Sequence, residues 1–284
     1  MERTYRLVVY CPDRTGIVAK VSNFLTTYNG WITEANYHAD QKNHWFFMRN
    51  EIKASSLPFD LAGFKAAFAP ITTEFSMNWT VTDSAQKSRV VLMASKESHC
   101  LADLLHRWQS DELDAEIVAV VANHEDLRRM VEWHDIPYHH VPINKENKAA
   151  AFTEIEGLVD AYDTDLVVLA RYMQILPAGL CEHYAGRIIN IHHSFLPSFA
   201  GAKPYHQAYD RGVKLIGATC HYVTQDLDEG PIIDQDVIRV SHSNTIEDMV
   251  RLGKDAEKTV LARGVRLHLE GRVIIHENKT VVFD

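Results

Sequence analysis

"GRIINIHHSFLPSFAGAKPYHQAYDRGVKLIGATCHY", residues Gly186–Tyr222, is the stretch on which the reading of this chain turns. It begins as an apolar strand, "GRIINIHH", and finishes in Asn190, His192 and His193. An irregular run with Pro197, Gly201 and Pro204 follows, and then a second strand, "KLIGATCHYVTQ". Residues two apart in a strand share a face, so Asn190 and His192 are expected to point one way and His193 the other. An amide beside an imidazole can hold a carbonyl oxygen and polarise or protonate it. The same two residues alone also fit a hydrogen-bonded core pair. The loop after them favours chemistry, because functional groups concentrate on irregular segments held by a rigid scaffold. A second acidic loop, "DLDEGP", carries Asp226, Asp228 and Glu229. A carboxylate from it would set the charge state of the imidazole.

Upstream, short apolar runs alternate with helical patterns. "SRVVLMAS", "AEIVAVVAN", "IPYHHVPI" and "DLVVLARY" read as strands. Between them "HCLADLLHRWQ", "HEDLRRMVEWH" and "KENKAAAFTEIEGLVDAYDT" place apolar residues at helical spacing. This alternation predicts a mostly parallel, Rossmann-like α/β sheet with helices on both faces, over residues 89–284. Ligands of such sheets bind beyond the carboxyl ends of the strands, which is where His192 falls. The tail after Val240 reads as one amphipathic helix and a hairpin.

A polar, aperiodic segment around Thr80–Arg89 reads as a linker, placed at residues 84–88. Residues 1–83 before it read as strand, helix, strand, strand, helix, strand. "YRLVVY", "WITEANYHA", "HWFFMRNEIK" and "TTEFSMNWTV" are the strands, and helices follow "PDRTG" and "LPFD". The order predicts a ferredoxin-like α+β unit. It resembles the ACT domain, a regulatory module, on that order and on Asp13-Arg14-Thr15-Gly16 at the first strand–helix junction. The resemblance implies an effector site at Asp13, Arg14 and Gly16, with a small amino acid such as glycine or methionine as effector. It also implies a homo-oligomer, a dimer or a tetramer. A turn that merely starts a helix is the plainer reading of the same residues.

The second domain resembles the formyltransferases that use formyltetrahydrofolate. Two motifs carry the likeness. The first is Asn190-Ile191-His192-His193-Ser194-Phe195-Leu196-Pro197, and the second runs from His221 through Asp228 to Gly230-Pro231. The resemblance implies Asn190, His192 and Asp228 as catalytic residues, with His221 and Ser194 in support. It implies that "LARYMQIL" faces the folate through Met173, Gln174, Ile175 and Leu176, with Asp226 also on the folate side. Gln174 stands where many relatives have Arg. A cis Leu196–Pro197 bond is implied too. Relatives that formylate a nucleotide carry a Gly- and Asn-rich phosphate loop after the first strand. Here that place is "SKESHC", without glycine, offering Ser95, Lys96, Ser98 and His99 on the acceptor side. A basic tRNA-binding tail is also missing from the pattern. With an ACT-like unit in front, the whole resembles the formyltetrahydrofolate deformylases. That implies hydrolysis of 10-formyltetrahydrofolate to formate and tetrahydrofolate, feeding formate to purine synthesis. In this reading Asn190 and His192 bind the formyl oxygen, Asp228 orients His192, and no cofactor or metal is expected. Formyl transfer to a small amine and a non-enzymatic amino-acid or folate sensor stay open as rivals.

Composition is that of a soluble globular protein. Hydrophobic residues make up 46 % of the 284, enough for a large core. A net charge of −9 disfavours a nucleic-acid surface. Cys11, Cys100, Cys181 and Cys220 show no CxxC spacing and read as buried thiols of a cytoplasmic protein. No apolar run reaches the ~20 residues of a membrane span. His139, His140, His193 and His221 are expected to be packed or hydrogen-bonded rather than reactive.

Overall fold

The computed structural model describes residues 2–197 and 204–284. Gly201, in the irregular run singled out above, lies outside the described residues. The chain forms two compact units. The first holds residues up to Lys87 together with Glu270–His276 and Val281–Asp284. The second holds Ser88–Leu269 and Glu277–Thr280. The division read from sequence is therefore corrected at the C-terminus. Most of the terminal hairpin packs with the first unit, where Ile274 and Phe283 join Phe47 in an apolar cluster.

The first unit runs β1 (Thr4–Pro12), α1 (Ile17–Thr27), β2 (Ile32–Asp40), β3 (Trp45–Lys53), α2 (Leu61–Glu74) and β4 (Asn78–Asp83). Its sheet order is β2-β3-β1-β4, with antiparallel pairing of β1 to β3 and β4 and of β2 to β3. Val21, Phe24 and Leu25 of α1 and Phe64, Phe68 and Ile71 of α2 bury against Leu7, Val9 and Met48 of the sheet. Burial of each such side chain contributes about 1.5–3 kcal/mol. Helix α2 runs four residues beyond Pro70 and takes in Thr72–Glu74, which the sequence pattern assigned to the last strand. Ile71 and Thr72 extend the buried stripe begun by Phe64 and Phe68, and that burial outweighs the hydrogen bond the proline cannot make.

The second unit is a mixed α/β layer built on a seven-stranded, mostly parallel sheet. Its strands are β5 (Ser88–Ala94), β6 (Ala115–Ala122), β7 (Tyr138–His140), β8 (Leu166–Ala170), β9 (Ile188–His192), β10 (Leu215–Tyr222) and β11 (Ile232–Arg239). The order is β11-β10-β9-β8-β5-β6-β7. Strands β9, β8, β5, β6 and β7 run parallel, while β10 is antiparallel to both β9 and β11. All five residues of β8 are buried, the continuous apolar run of a strand covered on both faces. Helices α3 (His99–Gln109), α5 (Lys148–Ala161) and α8 (Ile246–Leu269) cover it. Phe152, Ile155 and Val159 give α5 its buried face. Helix α4 (Arg128–Glu132) is one turn, shorter than the pattern over His124–His134 suggested. Arg128 is spent on Glu125, Glu132 and the Tyr138 carbonyl, polar pairings that apolar spacing does not report. Two further short helices, α6 (Ala178–His183) and α7 (Pro204–Arg211), were not foreseen. All four cysteines are free and buried.

Candidate active site

Strand β9 carries its isoleucines into the core and its polar residues to one cleft. Antiparallel pairing with β10 sets Asn190 opposite His221 and His192 opposite Thr219. The cleft has a volume of about 720 Å³ and is lined by Asn190, His192, His193, His221 and Asp228 among others. The three residues expected to act together are thus brought together. His192 Nδ1 lies 3.2 Å from Asp228 Oδ1, with both side chains largely enclosed.

The hydrogen bonds fix the tautomers. His221 Nδ1 donates to the Tyr222 carbonyl at 2.9 Å, which leaves Nε2 to accept from Asn190 Nδ2 at 3.2 Å. One N–H of the Asn190 amide is therefore spent, and the other is free to face a ligand. Asp228 Oδ1 is 3.7 Å from His221 Nε2, too long for a hydrogen bond, so His192 is its direct donor. With Nδ1–H of His192 turned to Asp228, Nε2 carries the lone pair. It is buried without a partner among the described residues. Burial raises the Asp228 carboxyl, but the hydrogen bond from His192 outweighs it and holds the group well below the usual carboxylate range. Asp228 is an ion at neutral pH.

Backbone geometry delivers that carboxylate. Asp228 sits at φ 58°, a left-handed conformation that Asp tolerates better than most residues. Two residues on, a Cβ at Gly230 would stand 1.8 Å from the Tyr222 carbonyl oxygen. Only glycine allows this loop to return so close to β10. Thr219, buried beneath, receives the Leu196 N–H at 3.0 Å and donates to the Ser194 carbonyl at 2.9 Å. Ser194 is buried there, and the Leu196–Pro197 bond that follows is cis.

Met173, Gln174, Ile175, Leu176 and Asp226 all line the cleft. Met173 and Ile175 are more than half exposed, as is Leu227 on the facing loop, an apolar rim suited to a flat heterocycle. The acceptor-side residues are distributed differently from the expectation. Ser95 is buried and receives the Met173 N–H at 2.9 Å while donating to Asn123 Oδ1 at 2.7 Å. It braces the Met173 loop, because the end of β5 lies beside the end of β8. Lys96 and Ser98 are exposed and do not line the cleft. His99 is turned to Glu257 at 2.8 Å, and Glu97 is the residue of this loop that lines the cleft, paired with Lys254 at 2.5 Å. His193 also lines the cleft, although strand alternation turned it away. The strand ends at His192, and alternation stops with it. His139 and His140 are engaged by Tyr162 and Glu125 and do not line the cleft.

Sequence reasoning missed Glu97, Arg171, Tyr205, Lys254 and Glu257, all of which line the cleft. The signal for Glu257 was present, since it occupies the buried stripe of α8 between Gly253 and Val260. His99, Cys100 and Glu257 bring one ligand atom each within 4.8 Å of one another. They do not suit a metal, because burial drives the Cys100 thiol up and Glu257 is already bonded by His99 and Tyr205. In the first unit, Gly16 caps α1 at φ 94°, and Arg14 donates to the Glu74 carbonyl and lies over the Phe75 ring. Asp13 donates its backbone N–H to the His44 carbonyl.

A family profile described as formyl transferase matches residues 88–265. A curated relative from Bacillus subtilis, a formyltetrahydrofolate deformylase, is 49 % identical over 98 % of this chain and 93 % of its own. The chain belongs to the formyltetrahydrofolate deformylase family. A deformylase from Escherichia coli is 42 % identical over 96 % of this chain and 95 % of its own. The crystal structure of a formyltetrahydrofolate deformylase from Pseudomonas syringae superposes with a TM-score of 0.99 at 69 % identity, covering all of this chain and 95 % of that one. A glycinamide ribonucleotide transformylase from Symbiobacterium toebii matches 70 % of this chain and 95 % of its own, with a TM-score of 0.66 at 29 % identity. The family spans the full chain, whereas the transformylase likeness stops short of it.

Proposed function

We propose that the chain hydrolyses 10-formyltetrahydrofolate to formate and tetrahydrofolate, with water as the acceptor. The observation that carries this reading is the His192–Asp228 pair, which lines the same cleft as Asn190 and whose Nε2 has no partner among the described residues. The folate lies against the Met173–Leu176 rim. Nε2 of His192 takes a proton as the water oxygen bonds to the formyl carbon. The formyl oxygen becomes an oxyanion, held by the free N–H of Asn190. Asp228 balances the imidazolium. Nε2–H then protonates N10 as the carbon–nitrogen bond breaks, and formic acid leaves as formate. Water, one base and one oxyanion donor complete the step, so no cofactor enters it.

Water rather than a phosphate-bearing amine is favoured by the loop after β5. It has no glycine to cradle a phosphate, and the Glu97 carboxylate lines the cleft at that place. Turnover in isotopically heavy water tests the reading: the heavy oxygen appears in formate. Formate without the label would refute attack by water.

The first unit serves as an ACT-like regulatory module. Its ferredoxin-like order, β2-β3-β1-β4, supports this. Arg14 is committed to the Glu74 carbonyl, which leaves Asp13 and the Gly16 backbone at the junction for an amino-acid effector such as glycine or methionine. The protein works in the cytoplasm as a homo-oligomer. Turnover measured with and without each amino acid tests the regulatory role, and identical rates would remove it.

A further inference from the structure

One stretch of the cleft wall is charged and takes no part in the chemistry above. Glu257, 1 % exposed, accepts hydrogen bonds from His99 Nε2 at 2.8 Å and from the Tyr205 hydroxyl at 2.6 Å. A Cβ at Gly253, one turn earlier, would stand 2.1 Å from that hydroxyl, so the glycine is what lets the phenol reach the carboxylate. Arg171 Nε lies 3.3 Å from the same carboxylate.

Arg171 is the unusual member. It directly follows β8, holds φ 63° without being glycine, and has a side chain only 13 % exposed. Left-handed backbone at a non-glycine residue is a strain kept mostly where function needs the side chain placed. Its Nε is buried without a hydrogen bond, and among the described residues its guanidinium donates none. Enclosing such a group with its donors unspent costs desolvation that the ion pair with Glu257 offsets only in part. The remaining edge of the guanidinium suits a planar anion with two oxygens, which it grips through two parallel bonds. The charge also reaches the reacting groups. Burial and then Arg171 push His193 down to about 4, and the His193 ring lies 5.1 Å from that of His192.

Hydrolysis in this cleft turns a neutral formyl group into a planar two-oxygen anion. We infer that Arg171, held at its Nε edge by Glu257, is the subsite that binds the formate released in the cleft. The inference rests on the hydrolytic reading for the source of the ligand. The subsite distinguishes product from substrate, because the bound formyl group has only one oxygen to offer.

The test is a titration of the full-length protein, free of folate, with carbon-labelled formate followed by magnetic resonance. Saturable binding is expected, weakened by at least about three-fold in R171K, which keeps the charge but loses the paired bonds, and by at least about ten-fold in R171M/E257Q. The double variant removes both charges, so neither is left buried alone. If it does not fold, R171Q is read in its place. Formate that fails to saturate the wild type, binds the uncharged variant as tightly, or is displaced equally by chloride overturns the subsite. Formate release from 10-formyltetrahydrofolate is measured on the same preparation. Release without binding sinks the subsite alone, and binding without release sinks the hydrolytic reading alone.

Discussion

Asp228→Asn isolates the charge at the centre of the proposed mechanism. Asn has the shape of Asp and tolerates the φ of 58° found there, so the loop should keep its course. What disappears is the negative charge 3.2 Å from His192 Nδ1. At an effective dielectric of about 20, a unit pair at that distance is worth about 5 kcal/mol. Asp228 keeps some solvent contact, and screening that halves the figure leaves about 2.5 kcal/mol. The imidazolium exists only while the proton is in transit, so the loss falls on the transition state. The catalytic constant should drop by about two to four orders of magnitude. The apolar rim is untouched, and KM should stay within about three-fold. Initial rates of formate release at saturating folate, beside a thermal melt of each protein, read both quantities. A variant melting like the wild type and turning over within about ten-fold of it would refute the charge-support reasoning.

Gly230→Ala places a Cβ on the Tyr222 carbonyl oxygen, a backbone atom with nowhere to go, and should lower Tm by about 5 °C or more; an unchanged melt would show that the loop has slack. Ser95→Ala leaves the Met173 N–H and Asn123 Oδ1 without their shared partner, at about 1–3 kcal/mol. KM for the folate should rise about five-fold or more with the catalytic constant little changed, and a fall in the catalytic constant alone would contradict a bracing role. Acid should destabilise the fold by way of His193 and His268, both pushed down to about 4 by burial. Their neutral forms are favoured in the folded state, so the stability is complete above the unfolded value of about 6.5 and is lost as pH falls toward 4. For the deeply buried His268 this is about 3 kcal/mol. Denaturant melts from pH 7.5 to 4.5 should show stability falling with pH, and a flat profile in wild type and His268→Gln alike would contradict it.

The sheet and the placing of Asn190 beside His192 were legible because both obey a period. Apolar runs of five to eight residues and helical spacing gave the alternation, and the two-residue repeat put Asn190 and His192 on one face. His193 escaped that logic because the strand ends one residue before it. Asp228 was readable only from its motif, since its place under the imidazole depends on a left-handed turn and on the close return at Gly230. The charged wall was harder. Glu257 lies in a stripe where apolar residues are the norm, and its partners come from α3, the end of β8 and α7, far apart in sequence. Helix α7 is polar and short, with too few apolar positions for its period to show. The end of α2 was misplaced because a strand pattern is local, whereas the burial of Ile71 and Thr72 is not. The C-terminal hairpin gave no sign of which unit it would join, since packing partners are not written in a strand's own pattern.

Water alone completes the proposed reaction. Full-length protein incubated with 10-formyltetrahydrofolate and no other acceptor, with formate and tetrahydrofolate quantified together, tests it directly. Both products should appear in equal amounts, with nothing further needed for each catalytic turnover. Consumption of the folate only when an amine is supplied, or binding without any formate, would contradict it.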